Sequence, residues 1–203
     1  MSNATSQPSD FPPPFELRGH RFKPLTWETM TPEQKTMTRA VLGGQRGHMQ
    51  GPYNVLLRSP EVGQLAQQFG AQTRFHSSLP LALNELAILM IARDWTAQFV
   101  WWAHRRIAEE AGLPPALIEA IAQKQQAPLG LADDVRAVHQ FCHELIQNRL
   151  VSDAVYALVL THFGERGMVD LMATMSYYTL VSMALNVDGY PLPEGALPEL
   201  ASY

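Results

Sequence analysis

The sequence predicts an all-α domain. Three observations carry this. No stretch alternates apolar and polar residues between hairpin turns as a strand would. Apolar residues instead recur at three- and four-residue intervals, the spacing of one helix face. Ser/Thr-Pro starts and Gly or Pro stops then divide the chain into helix-length segments.

Taken in order, residues 1–14 are rich in Ser, Asn, Gln and Pro, with neither a basic nor an apolar region. They are predicted to form a disordered arm and not a secretory signal. Residues 15–190 are predicted to form one helical domain and residues 191–203, with three prolines, an extended C-terminal arm. Thr31-Pro32-Glu33 opens a helix that Gly43-Gly44 stops. A loop rich in glycine and proline follows to Pro60, and loops of that length are often functional. Ser59-Pro60-Glu61 opens a second helix, expected to end near Gly70.

Pro80 precedes a third helix, in which Leu83, Leu86, Ala87, Met90 and Ile91 share a face. Asp94 or Thr96 is placed to cap a fourth, which stops at Gly112 and Pro114. A short helix from Pro114 to Gln123 is followed by an amphipathic one from Asp133 to Arg149, with Val135, Val138, Phe141, Cys142, Leu145 and Ile146 on its inner face. Ser152-Asp153 begins another, to Phe163, and Arg166 to Asn186 forms the last. Residues 168–187 approach the length of a membrane span, yet polar residues interrupt them and no basic flank follows, so a buried helix is expected.

The composition narrows the function. The chain has 203 residues and a net charge of −4, with no run of Lys or Arg. Nucleic-acid binding, which relies on clustered basic residues, is not expected. Hydrophobic residues make up 46% and charged residues only 17%. Sparse charge on an ordinary core is consistent with surface buried against other copies. The single cysteine, Cys142, rules out an internal disulfide and suits a reducing, cytoplasmic setting.

The chemistry concentrates between Glu85 and Gly112. Glu85 lies inside a strongly apolar helix, where an unpaired carboxylate would be costly to bury, so the position demands a partner or a proton. His104 lies on the next helix, two turns past Ala97 and one past Val100, so the three share a face. The bland alternatives pair Glu85 with Arg93 or Arg105, use Trp101 and Trp102 for packing, and make His48 and Arg46 plain loop residues. His139 and His143 have the one-turn spacing of a metal pair, but no third ligand is evident, and no metal is expected.

The pattern Glu85-x11-Ala97-x2-Val100-x3-His104 resembles the Glu-x11-Cys-x2-Cys-x3-His of alkylhydroperoxidase D. The text around it, ELAILMIARDWTAQFVWWAHRRIAEEAGL, is similar to the broader carboxymuconolactone decarboxylase family. GPYNVLLRSPEVG resembles that family's loop into a helix, and MVDLMATMSYYTLVSMALNVDGYPLP its last helix and tail. The resemblance spans about residues 31–198 and implies an alkylhydroperoxidase D-like helical bundle. Six positions, Glu85–Met90 and Asp170–Met175, hint at a weak internal duplication.

The departure from the family matters equally. Its redox members need an activated thiolate and a resolving thiol, and Ala97 and Val100 supply neither. Thiol peroxidase activity is therefore not expected. The resemblance instead implies a cofactor-free, decarboxylase-like lyase acting on a small carboxylated lactone or related product of aromatic degradation. In that reading His104 is the general acid/base, and Glu85 orients it or relays the proton. Arg46 and His48 hold the carboxylate. Tyr53, Phe99, Trp101 and Trp102 wall the pocket. The family also implies a homo-oligomer, a trimer or hexamer. The alternative is a non-catalytic helical oligomer that binds a small molecule or a partner.

Overall fold

A computed structural model describes residues 14–201, and the proposed N-terminal arm falls outside them except for Pro14. Among the described residues the chain forms eight α-helices and no strand. They are α1 (Pro32–Leu42), α2 (Tyr53–Leu56), α3 (Pro60–Phe75), α4 (Leu81–Asp94), α5 (Gln98–Glu110), α6 (Pro115–Ala122), α7 (Asp133–Asn148) and α8 (Asp153–Asp188).

Local chemistry fixes most of the boundaries. The Thr31 hydroxyl accepts from Gln34 N, and the Gln34 side chain accepts from Thr31 N, a reciprocal cap around Pro32. Ser152 Oγ accepts from Val155 N at the start of α8. Neither Asp94 nor Thr96 caps α5, contrary to the sequence reading. Asp94 is the last residue of α4, and Thr96 turns into the left-handed region (φ 47°). Its hydroxyl accepts from Arg93 instead, and Ala97, which has no capping group, precedes α5.

Gly70, where the sequence predicts α3 to end, does not stop it; the helix continues to Phe75. An added Cβ at Gly70 would lie 2.2 Å from Cζ and Oη of Tyr177. The glycine is there for close helix packing, not for termination. The loop before α3 also holds an extra turn, α2, which buries Tyr53 and Leu56.

Helix α4 is the centre of the fold. Every residue from Leu83 to Arg93 is buried, and α4 packs against α5, α6, α7 and α8. A helix apolar on all faces has to be enclosed in this way. Asn84 ties it into place: its amide donates to Thr73 O in α3, and its Oδ1 accepts from Thr174 Oγ1 in α8. A second, smaller core joins Trp27, Met30, Met37, Val41, Met49, Tyr53 and Leu57.

Helix α8 breaks at Gly164 (φ 64°, ψ −178°), which splits it into the two helices expected from the sequence. By length and composition α8 alone, among the described residues, could cross a membrane, and 56% of its most apolar window is buried within the fold. Asp188 at its end accepts from His20 N and Phe22 N, which fastens the N-terminal segment. The C-terminal tail lies along α5. There Gln98 bonds to the backbone of Glu199 and Leu200, and Trp101 Nε1 donates to Glu199 Oε2 at 3.0 Å.

Candidate active site

Enclosure of α4 forces a solution for its one buried acidic residue. Glu85 is 1% exposed, and its Oε2 lies 2.7 Å from Nδ1 of His104, itself 5% exposed. Arg93 and Arg105 do not supply the partner. Arg93 donates to Thr96, while Arg105 pairs with Glu109, Glu119 and Glu199. With the carboxylate ionised, Nδ1–H is the donor, which fixes the tautomer and leaves Nε2 to act. The Tyr178 ring meets the imidazole edge-on, with centroids 4.9 Å apart.

His104 lines a cavity of about 620 Å³ bounded by the loop at residues 46–52, the end of α3, α5, the second limb of α8 and Glu199 of the tail. That volume suits a small organic ligand. Arg46 and His48 both reach it, as does Arg74, on the last turn of α3. No acidic side chain pairs with Arg46 or Arg74 among the described residues, and Nη2 of Arg46 is buried without a hydrogen-bond partner. The Arg46 guanidinium lies over the Tyr53 ring, 5.5 Å from its centroid, a cation–π contact that holds it in place. Loss of hydration, and then the charges of Arg46 and Arg74, push the His48 imidazole below its ordinary range.

Two expected wall residues lie elsewhere. Trp101 is fully buried in the core and faces the tail through Nε1, so it does not line the cavity. Trp102, one residue on and 100° around the helix, does line it, beside Phe99 at 5.6 Å. Tyr53 is also buried and supports the site from behind; burial pushes its phenol and that of Tyr177 up.

Among the lining residues that the sequence does not single out are Arg74, Tyr177 and Tyr178. Arg74 lay beyond the expected end of α3. Tyr177 and Tyr178 read as polar interruptions of an apolar helix. Two consecutive hydroxyls in a segment bound for the core were the available signal, because buried phenols need partners.

Ala97 and Val100 are buried and apolar. Cys142 is on α7, fully buried against the Met175 sulfur at 3.6 Å, and burial pushes its thiol up. His139 and His143 stack in parallel, and no three His, Cys, Asp or Glu converge among the described residues. Asp170, the counterpart of Glu85 in the suggested duplication, accepts from Ser78 N and Oγ and does not line the cavity.

Neither a scan against protein-family models nor a search of curated proteins returns a match for this chain.

Proposed function

We propose that the cavity is the active site of a cofactor-free lyase, similar to the carboxymuconolactone decarboxylases. Its substrate is a small carboxylated lactone or a related product of aromatic-ring cleavage. The observation that carries this reading is the buried Glu85–His104 pair, held at 2.7 Å in the wall of a cavity that Arg46 and Arg74, which have no acidic partner among the described residues, also line. Loss of carbon dioxide leaves an electron pair in the ring, and a ring carbon must take up a proton. His104 Nε2 is the group placed to deliver it, and the Glu85 carboxylate stabilises the imidazolium and keeps the ring oriented.

Arg46, Arg74 and His48 hold the substrate's carboxylate, with the arginines presenting planar forks suited to it. Phe99 and Trp102 cover its apolar part. Sulfur takes no share, since Ala97 and Val100 replace the thiols and Cys142 lies elsewhere. An assembly of like subunits belongs to the same reading. The exposed row Val62, Leu65 and Phe69 on one face of α3 supports it.

An alternative, a silent protein that only binds, would be favoured by a tryptophan filling the space beside His104. Trp101 is in the core and the space is open, which favours chemistry. The test is a panel of carboxylated five-membered lactones incubated in D2O. The expected result is release of carbon dioxide with one deuterium on a ring carbon of the product. Absence of turnover across the panel would leave only the binding role.

A further inference from the structure

Among the described residues, seven buried side-chain polar atoms have no hydrogen-bond partner, and two of them belong to residues that line the cavity. One is Arg46 Nη2, already given to the substrate's carboxylate. The other is the hydroxyl of Tyr178. An unpaired buried hydroxyl costs folding free energy, and native proteins seldom keep one without a use.

We propose that Tyr178 is a further catalytic residue: its hydroxyl donates a hydrogen bond to the substrate oxygen on which negative charge collects as carbon dioxide leaves. This rests on the decarboxylase reading and narrows the substrate. The ring carbon that loses its carboxylate must be conjugated to a lactone carbonyl.

The step balances as follows. The bond between ring carbon and carboxylate breaks, and carbon dioxide departs. The electron pair moves through the conjugated ring onto the lactone carbonyl oxygen, giving a dienolate. The Tyr178 O–H points its dipole at that oxygen and keeps its own proton. The imidazolium of His104 then gives its proton to a ring carbon, and the neutral imidazole regains one from water. No oxidant or reductant is required.

The surroundings suit a donor that does not ionise. Tyr178 is 2% exposed, and its burial raises the phenol well above its ordinary range. Its ring stands edge-on to His104 with centroids 4.9 Å apart, and both residues line the cavity. The neighbouring Tyr177 differs: its hydroxyl is bonded to Tyr53 and it packs on Gly70. Donors already in place where charge develops are a large source of rate enhancement.

The experiment titrates the full chain and Tyr178→Phe with two probes by calorimetry. Tetronate, the ring enolate of a five-membered lactone, mimics the charged intermediate. The planar carboxylate 2-furoate mimics the ground state. Losing a hydrogen bond to a charged acceptor should weaken tetronate by about 10- to 100-fold. Binding of 2-furoate should change by less than about threefold, and the melting temperature of the free variant should not fall, since the lost hydroxyl had no partner.

If both probes weaken equally, or neither weakens, the role of Tyr178 is overturned while the decarboxylase reading stands. A drop in melting temperature overturns it too, because it reveals a structural partner. If the wild-type protein binds neither probe, the reading fails and takes this inference with it.

Discussion

Glu85 Oε2 and His104 Nδ1 meet at 2.7 Å although they lie 19 positions apart on two helices, and both side chains are buried. A buried carboxylate and imidazole stabilise each other only as a unit, because either one alone leaves an uncompensated polar group. Glu85→Ala and His104→Ala should each cost about 3–5 kcal/mol of stability. The double variant should cost clearly less than the sum, with a coupling of at least about 1 kcal/mol in a denaturant double-mutant cycle. Simple additivity would mean that the contact contributes nothing.

Arg46 and Arg74 should act on ligands through charge. Arg74→Gln should weaken 2-furoate by about tenfold and leave the neutral amide of the same ring nearly unaffected. Equal effects on both would remove Arg74 from carboxylate recognition.

The His48 shift gives a pH signature. Its imidazole is held below its ordinary value of 6.5, so the folded protein disfavours the protonated form and loses stability as pH falls below 6.5. Arg74→Gln, or saturation with 2-furoate, should raise the His48 pKa, because each reduces the positive charge that the ring feels. Proton NMR of the His48 ring reports the titration directly, and an unchanged midpoint would separate His48 from the arginine pair.

Gly70→Ala should be strongly destabilising for a helical Gly→Ala change, which on propensity alone would help. The new methyl would sit 2.2 Å from the Tyr177 ring, so a loss of about 1–3 kcal/mol is expected, along with weaker ligand binding. Thermal unfolding and 2-furoate titration check both parts.

Neighbouring tryptophans should separate cleanly. Trp101→Phe removes the bond to Glu199 and should loosen the tail, lowering stability by about 1 kcal/mol, with ligand affinity changed only through the freed Glu199 and by less than in Trp102→Ala. Trp102→Ala should do the reverse. The pair distinguishes a residue that holds the fold from one that faces the cavity.

Much of this architecture was readable in the sequence because its signals are local. Thr31-Pro32 and Ser152-Asp153 placed helix starts by capping chemistry, and the expected helix end at Phe163 and start at Arg166 bracket the break at Gly164. Burial chemistry alone showed that Glu85 needs a partner and left Arg93 and Arg105 open; His104 was legible through the resemblance of Glu85-x11-Ala97-x2-Val100-x3-His104 to a known pattern. Apart from the cap of α5, the failures are tertiary. Gly70 reads as a stop unless one knows that Tyr177 lies on it, and that error hid Arg74. Trp101 and Trp102 are chemically alike, and only the orientation of α5 decides which one meets the cavity. The unpaired hydroxyl of Tyr178 is a property of its surroundings, and no spacing rule exposes it.

The central claim is that the imidazole of His104 moves the proton. Its most direct test is the rate of carbon dioxide release from a turned-over carboxylated lactone by His104→Gln, which keeps size and polarity but cannot transfer a proton. The account predicts a fall of about 100-fold or more with the fold intact by circular dichroism. A folded variant that decarboxylates within a few-fold of the wild-type rate would contradict it.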